Sequence, residues 1–314
     1  MGNDEAAPFH AGELAVQARE GVVGDAARLA AGFRPSFPAL AREFLARQSL
    51  LVVAGVESTT TRVWASLLTG PPGFVATPDE RTLRVHAAAA EGDPLAPLWR
   101  DGGAEAGALA IEFQTRRRMK VKGFVEPVQG GFALRARRVF ALCPKYIQVR
   151  EPDAPEATVD APVTRRGAAL SSDQRRLVDA ADTFFIASAT PEGGPDASHR
   201  GGHPGFVRTL AADRIEFADY AGNNMFNTLG NLELRPSAGV LFIDFERGTT
   251  LQLTGTARAT WDPQHLARFA GARRVVTLDV EQAVEIVGAT PQRWRLVERS
   301  PFNPPATRTR IGRV

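Results

Sequence analysis

The chain has 314 residues, of which 44% are apolar, and its formal net charge at pH 7 is +3. This length exceeds that of a typical single-core domain, and the apolar fraction is enough for two halves that each bury a core. The small positive charge gives only a weak indication of anionic partners, while the single cysteine, Cys143, excludes an internal disulfide framework and indicates a reducing compartment.

The N-terminal residues do not resemble a targeting segment. The first thirty carry Asp4, Glu5, Glu13 and Glu20 and lack a continuous apolar stretch, so we expect no signal peptide. Nowhere do about eighteen apolar residues run together, as a membrane-spanning helix requires. We therefore expect a cytoplasmic protein with no membrane partner.

Four segments follow one another along the chain. Residues 1–35 are predicted to form an N-terminal helical extension. Residues 36–150 form a first unit, opened by a helix that Ser36 caps. Residues 151–170, polar and marked by proline, form a linker. Residues 171–314 form a second unit with an irregular C-terminal tail.

The two units repeat one another in sequence. The string from Ala65 to Val75 shares the pattern AS..G.PGFV with the string from Ala197 to Val207, which begins 132 residues later. The same offset relates Ile111-Glu-Phe113 to Ile243-Asp-Phe245 without a gap. Matching residues at one fixed offset indicate a duplicated domain.

Each unit is predicted to be mostly strand behind a short helix. Ser171-Ser-Asp-Gln174 has the spacing of a capping box at the start of the second helix. Met119–Lys122 and Leu251–Thr254 alternate apolar and polar residues, as strands with one buried face do. Leu109–Phe113 and Leu241–Phe245 are more continuously apolar and are predicted to be central strands. The pattern predicts a mainly β fold with flanking helices (α+β), built as two small barrels.

Several kinds of site are not expected. The sequence contains no dinucleotide-binding glycine motif, Walker loop, G-x-S-x-G elbow or H-E-x-x-H, and one cysteine cannot build a thiolate metal cluster. His199 and His203 are four residues apart, but the glycines and proline between them prevent a regular helix, so we expect no metal site. Aromatic residues do not alternate with the basic clusters, so we expect no nucleic-acid groove.

Several strings together resemble a known family. The runs Phe184–Arg208, Ala221–Asn231 and Gly248–Gly255 resemble the pyridoxamine 5′-phosphate oxidase-like flavoproteins, which have the FMN-binding split-barrel fold. The string Cys143-Pro-Lys-Tyr-Ile-Gln148 resembles a signature of the tandem branch of that family. The resemblance covers nearly all of residues 35–298.

The resemblance implies an architecture. The family usually forms homodimers that bind two FMN molecules in grooves between two split barrels. A duplicated chain would make the same pairing internally, as two tandem FMN-binding split β-barrels in an intrachain pseudo-dimer. We therefore expect either a monomeric pseudo-dimer or a homodimer of such chains.

The differences between the two copies indicate which groove keeps its cofactor. Apolar or small residues of the first copy are replaced in the second by cations and hydrogen-bond donors. The replacements run from Leu67, Leu68, Thr69, Pro71 and Ala76 to His199, Arg200, Gly201, His203 and Arg208. A core does not require such groups, but a phosphate or a flavin edge does. We expect FMN at the second unit and a degenerate site in the first.

The resemblance implies a set of cofactor-binding residues. They come from the repeated string, the amide-rich turn after it, a later strand, and the end of the first unit. They are His199, His203, Gly205, Phe206, Val207, Arg208, Asn223, Asn224, Asn227, Thr228, Thr249, Thr250, Lys145 and Tyr146. The end of the first unit also offers Gln148, as a contribution across the two barrels.

Alternatives stay open for part of this set. The Pro-Gly pair shared by both copies also fits a purely structural bend in a barrel strand. Thr249 and Thr250, whose counterparts are Arg117 and Arg118, also fit an ordinary strand. The basic pair with which the family contacts phosphate would align near Asn227 and Thr228, and it is absent.

The predicted function is that of an FMN-dependent oxidoreductase, which passes electrons from a nicotinamide (NADH or NADPH) or a small organic donor to an acceptor. The missing basic pair disfavours a true pyridoxamine phosphate oxidase. The alternative is a non-catalytic carrier or sensor that holds flavin or haem. No side chain is identified as catalytic.

Overall fold

The structure is a computed structural model that describes residues 7–153 and 161–305. Helices precede each sheet or bridge its strands. They are α1 (Ala11–Arg19), α2 (Val23–Ala30), α3 (Ala39–Ala46), α4 (Ala96–Asp101), α5 (Ser172–Ala180), α6 (Asn227–Leu234) and α7 (Pro263–Leu266). None of the helices in these two ranges is long and apolar enough to cross a membrane.

The first unit contains a seven-stranded antiparallel sheet. Its strands are β1 (Leu50–Val56), β2 (Val63–Thr69), β3 (Val75–Ala76), β4 (Thr82–Val85), β5 (Glu105–Glu112), β6 (Arg117–Val128) and β7 (Gly131–Ala141). They are ordered β2-β1-β5-β6-β7-β4-β3. Two strands, β8 (Val149–Asp153) and β9 (Val163–Gly167), follow this unit.

The second unit repeats this arrangement. Its strands are β10 (Thr183–Thr190), β11 (Gly193–Gly201), β12 (Val207–Ala211), β13 (Arg214–Asp219), β14 (Ser237–Asp244), β15 (Thr249–Thr260), β16 (Arg274–Val287) and β17 (Arg293–Glu298). The sheet order β11-β10-β14-β15-β16-β13-β12 matches that of the first unit strand for strand. The predicted mainly β fold with flanking helices, built from two repeated units, is confirmed.

The three largest apolar cores of the described residues lie one inside each unit and one between them. Leu51 and Val53 of β1 pack in the first unit's core, while Val52 and Ala54 of the same strand pack in the shared core. Because successive side chains of a strand point to opposite faces, β1 is buried on both faces. The continuous apolar run of this strand therefore reflects the contact between the units.

The shared core is close to symmetric. Phe113 of the first unit meets its repeat counterpart Phe245 edge-to-face, with ring centroids 5.4 Å apart. Two glycines, also counterparts, lie where strands of the two units cross. A Cβ on Gly107 would lie 2.4 Å from the Pro195 carbonyl oxygen, and one on Gly239 would lie 2.5 Å from that of Val63. Glycine at both positions lets the two backbones approach closely.

The segment boundaries differ in part from the prediction. Strand β8 pairs with β17, and β9 pairs with β16, so both described ends of the expected linker are strands. Residues 154–160 of that linker lie outside the described residues. The proposed cap by Ser36 is wrong, because α3 begins after Pro38 and no side chain caps it. The capping box of Ser171 and Gln174 is confirmed.

Candidate functional site

A polar pocket lies between the two units, where β6 of the first unit passes β11 of the second. We call it the inter-unit pocket. It encloses about 100 Å³, and its wall is completed by the turn between β13 and α6. From the first unit its lining residues are Arg118, Lys120, Leu142 and Tyr146; from the second they include Ser198, His199, Arg200, Asp219, Tyr220, Asn223, Asn224, Phe226, Asn227, Thr228 and Arg274.

Lys120 places a buried cation against the second unit. Its Nζ lies 2.6 Å from Asp196 Oδ2 and 2.7 Å from Ser198 Oγ, and it donates to Asn227 Oδ1 at 3.3 Å. Burial lowers the pKa of Lys120 to about 8, although the charge of Asp196 opposes this shift. The ammonium is therefore still mostly protonated at pH 7.

Arg118 fixes the tautomer of His199. Its Nη1 lies 3.0 Å from His199 Nδ1, and its Nε donates to the Cys143 carbonyl at 2.9 Å. Burial, together with the positive charges of Arg118 and Arg200, holds the pKa of His199 well below its usual value, so the imidazole is neutral. Because a guanidinium can only donate, Nδ1 accepts and Nε2 carries the proton. This Nε2–H is buried and has no partner among the described residues.

A carboxylate holds two further arginines of the pocket. Asp219 Oδ1 lies 3.1 Å from Arg200 Nε, and its Oδ2 accepts from Arg274 Nε at 2.8 Å. Arg274 Nη1 also lies 2.9 Å from Glu20 Oε1, at the end of α1. The N-terminal helical extension is therefore part of the support of this site.

Two tyrosines stand side by side in the pocket wall, and they are the only two in the sequence. The rings of Tyr146 and Tyr220, one from each unit, are 5.3 Å apart, and the Tyr146 hydroxyl donates to the Ala221 carbonyl. Tyr146, Asn224 and Phe226 all have left-handed backbone conformations, with φ of 66°, 62° and 59°. Such conformations are unfavourable for residues other than glycine and are often found at functional sites.

The N-terminus of α6 opens into the pocket. No side chain caps this helix, and the Thr228 hydroxyl is buried without a partner among the described residues. The first backbone N–H groups of a helix have no partners within it and attract anions. Helix α1 fixes the side chain of Asn227, because Asn227 Nδ2 donates to Glu13 Oε1 at 2.5 Å.

The segment Cys143–Gln148 crosses from the first unit to the second, as the sequence predicts. Gln148 is buried, and its Nε2 donates to the carbonyls of Tyr146 at 3.1 Å and Gly202 at 3.3 Å. These hydrogen bonds fix the backbone of Tyr146 in the pocket wall. Lys145 points elsewhere, with its ammonium 6.0 Å from the centre of the Phe302 ring.

The structure brings six of the fourteen predicted residues to the pocket: His199, Asn223, Asn224, Asn227, Thr228 and Tyr146. The other eight do not line it. They are His203, Gly205, Phe206, Val207, Arg208, Thr249, Thr250 and Lys145.

The reasons are visible in the packing. Phe206 and Val207 belong to the second unit's core. Arg208 donates to the carbonyl of Gly205 and lies over the ring of Phe269, 4.5 Å from its centre. Gly205 has a left-handed φ of 91°, and the chain after it enters β12, which lies at the opposite edge of the sheet from β11. Thr249 and Thr250 lie on β15, which belongs to the other crossing of the two units.

Sequence reasoning did not select several residues that line the pocket. These are Lys120, Ser198, Asp219, Tyr220 and Arg274. Arg200, named above as a cation that the second copy gains, and Arg118, the counterpart of Thr250, also line the pocket but were not placed in the predicted set. Arg118 and Lys120 are two apart on β6 and therefore point to one face, opposite Met119 and Val121, which pack against the first unit's core. This alternation within the basic run was the available signal.

The other crossing, of β15 over β2, contains no such cation. Gln252, the counterpart of Lys120, donates to Ser66 Oγ at 3.0 Å and to Asp93 Oδ2 at 3.1 Å. Ser66 in turn donates to Asp93 Oδ1 at 2.7 Å. Burial raises the pKa of Asp93 to about 6. The three side chains thus bond to one another, while Gln252 Oε1 is buried without a partner among the described residues.

Comparison with known proteins assigns the second unit. Residues 170–298 match the family described as pyridoxamine 5′-phosphate oxidase. The second unit belongs to the pyridoxamine 5′-phosphate oxidase-like family. No curated protein matches the chain.

Solved structures similar to this chain include members of that family. A putative pyridoxamine 5′-phosphate oxidase from Lactobacillus delbrueckii is 16% identical, with a TM-score of 0.32, over 37% of this chain and 94% of that one. HutZ, the heme storage protein from Vibrio cholerae, is 14% identical, with a TM-score of 0.29, over 38% and 96%. A pyridoxamine 5′-phosphate oxidase-related, FMN-binding protein from Nostoc punctiforme is 12% identical, with a TM-score of 0.28, over 41% and 92%.

Proposed function

We propose that the protein binds FMN at the inter-unit pocket and is an FMN-dependent oxidoreductase that takes electrons from a nicotinamide or small organic donor. The observation that carries this proposal is the buried Nε2–H of His199, a donor without a partner in a pocket lined by four cationic residues and one carboxylate. Such a pocket suits an anionic ligand with exposed acceptor atoms.

The charges fit a phosphate group. The family's basic pair is missing near Asn227, but the Lys120 ammonium comes from the other unit to within 3.3 Å of that side chain. Arg118 has no carboxylate within ion-pair distance among the described residues, so its charge is available to an anion. Together with the uncapped start of α6 and the unpartnered Thr228 hydroxyl, these groups would hold the phosphate of FMN.

The size of the pocket limits how the cofactor is held. Its volume of about 100 Å³ lies below the range of about 300–1,000 Å³ that is usual for small-molecule sites, so the pocket suits a phosphate group better than a whole flavin. In this proposal the ring lies along the pocket wall, beside Tyr146 and Tyr220. These two rings must move apart to admit it, and we expect flavin binding to change the environment of both tyrosines.

When bound, FMN would supply hydride acceptance and electron transfer. The residues of this chain would bind and orient it. The His199 Nε2–H would donate to an acceptor atom of the ligand, and the neighbouring Arg118 charge would stabilise negative charge that develops there. Burial of these groups keeps water away from the contact and strengthens it.

The rival proposal, a haem carrier, is disfavoured by the same histidine. An imidazole nitrogen that binds iron needs a free lone pair, and the other ring nitrogen usually donates to a carboxylate or carbonyl. In His199 the order is reversed, because Nδ1 accepts from Arg118 and Nε2 carries the proton. His199 is therefore arranged as a donor to a ligand rather than as an iron ligand.

The test is the absorbance spectrum of the purified protein, with a count of flavin released on denaturation. We expect one FMN per chain, and loss of at least about tenfold in affinity for His199→Phe, since a hydrogen bond to a charged or buried partner is lost. His203→Phe, outside the pocket, is the matched control and should bind FMN normally. Reduction of the bound flavin by NADH or NADPH would then separate an enzyme from a carrier.

Two results would contradict the proposal. A chain that binds no flavin even with excess FMN is not a flavoprotein. Equal loss of affinity in His199→Phe and His203→Phe would place the flavin outside the inter-unit pocket.

A further inference from the structure

A second cavity lies in the first unit, between α3 and the adjoining ends of β6 and β7. It encloses about 310 Å³, within the usual range of about 300–1,000 Å³ for small-molecule sites. Its wall is largely apolar and includes Leu40, Phe44, Met119 and Phe140. Leu40 is 74% exposed, the most exposed of the large apolar residues in the described part of the chain. An uncovered leucine beside an apolar cavity is a surface that a ligand can bury.

The charges at this cavity have one sign. Its lining residues include Arg34, Arg117 and Arg118 and no acidic residue. The Arg117 guanidinium is exposed, 5.5 Å from the centre of the Phe44 ring, and has no carboxylate within ion-pair distance among the residues the structure describes. The Arg118 guanidinium is engaged in the inter-unit pocket, so Arg117 is the cation at this cavity best placed to meet an anion.

The equivalent place in the second unit shows that the fold does not require this chemistry. There a surface depression lies between α5, the start of β15 and the end of β16, and Thr249, the counterpart of Arg117, lines it. Strand β9 pairs along the end of β16, whereas in the first unit β7 has at this place only an isolated bridge between Arg34 and Val139. The depression is lined by four arginines and four acidic residues, so its charges balance.

We propose that the cavity between α3, β6 and β7 is a binding site for an amphipathic carboxylate, with an aliphatic or aromatic body and one anionic head. The body packs against Phe44, Met119 and Leu40, where burial of apolar area supplies the affinity. The carboxylate pairs with Arg117, whose planar guanidinium suits a carboxylate geometrically. The site lies on the opposite face of β6 from the inter-unit pocket and does not depend on flavin.

Decanoate, titrated into the full-length protein by calorimetry, is the probe, with decan-1-ol as its uncharged analogue. We expect one decanoate per chain and at least about tenfold weaker binding of decan-1-ol, since a charge-assisted hydrogen bond contributes this much. Arg117→Gln should weaken the binding of decanoate by a similar factor. Leu40→Glu, which adds a negative charge at an exposed position, should abolish binding.

Two matched variants locate the site. Arg247→Gln, at the equivalent depression of the second unit, and Arg200→Gln, in the inter-unit pocket, should both bind decanoate like the unaltered protein. Loss of binding in Arg200→Gln but not in Arg117→Gln would place the anion in the inter-unit pocket and overturn the inference. Equal affinity for decanoate and decan-1-ol, or no binding of either, would also overturn it. None of these results depends on whether the protein binds FMN.

Discussion

The two crossings of the units, β6 over β11 and β15 over β2, are built from equivalent strands and differ in the side chain that faces a buried carboxyl. The first places Lys120 beside Asp196, and the second places Gln252 beside Asp93. Burial raises the pKa of both carboxyls. At Asp196 the charges of Lys120 and Lys122 reverse this effect and bring the pKa below its usual value, whereas at Asp93 the pKa remains raised to about 6.

This difference shows what converts a groove into a candidate anion site. A lysine opposite the buried carboxylate forms an ion pair and, with Arg118 and Arg200 nearby, leaves the groove with surplus positive charge. A glutamine opposite the carboxyl leaves a hydrogen-bonded network without the cation that a phosphate requires. The first three predictions below alter the shared frame, the cation and the buried acid in turn.

The largest effect is expected from the frame that both crossings share. Gly239→Ala would place a Cβ 2.5 Å from the Val63 carbonyl oxygen, so the two strands must move apart. We expect a loss of about 3 kcal/mol in the free energy of unfolding, as for other overpacked sites, measured by urea denaturation. Gly107→Ala should lower the free energy of unfolding by a similar amount, because the backbones approach equally closely at both glycines although the polar residues of the two crossings differ.

Gly24→Ala is the control for these variants. A Cβ at Gly24 meets no atom within 4 Å, and alanine favours the helix α2, so the free energy of unfolding should rise by up to about 1 kcal/mol. A Gly239→Ala protein as stable as the unaltered one would show that the units are not closely apposed at this point.

The next effect concerns the cation. Lys120→Gln makes the first crossing resemble the second, and we expect FMN affinity to fall by about 10- to 100-fold through loss of a charge-assisted contact. Riboflavin, which lacks the phosphate, is the control ligand and should lose less than about threefold. Fluorescence titration with both ligands measures the difference; an equal loss for both would assign Lys120 a structural role only.

An effect that appears only as a change with pH is expected from the buried acid of the second crossing. Because the folded-state pKa of Asp93, about 6, lies above its unfolded value, its contribution to stability is present below about pH 4 and is lost as pH rises through 6. The full shift from 3.8 to about 6 corresponds to a loss of up to about 3 kcal/mol, at about 1.4 kcal/mol per pKa unit. Asp93→Asn cannot titrate, so the difference in unfolding free energy between the two proteins should change over this interval. A difference independent of pH would mean that Asp93 ionises normally.

The architecture could be predicted because the two halves of the sequence repeat one another. A fixed offset of 132 predicted two units, and the structure shows two sheets of the same strand order. Gly73 and Gly205, which both copies keep, have similar left-handed φ values of 95° and 91°. Their structural interpretation is the one that the packing supports, since Phe74 and Phe206 after them are both buried in cores.

The site was open to prediction only in part. The reasoning that differences between the copies mark the functional groove selected His199, which lines the pocket, but also His203 and Arg208, which do not. A comparison of copies cannot show where the pocket-lining strand ends, and β11 ends at Gly201, before both His203 and Arg208. Contributions from the first unit were expected only from its end, at Lys145, Tyr146 and Gln148, and so Lys120, in the middle of β6, was not selected although it lines the pocket.

The joining of the two units in one chain has a consequence for how such a protein can change. In a symmetric dimer of identical chains every substitution occurs twice, so a mutation that improves one groove alters both. Here β6 and β15 are encoded separately, and lysine at one crossing coexists with glutamine at the other. Two separately encoded copies can thus lose their symmetry while they preserve the shared core, and a crossing that binds no ligand can accumulate substitutions that only need to keep the molecule folded.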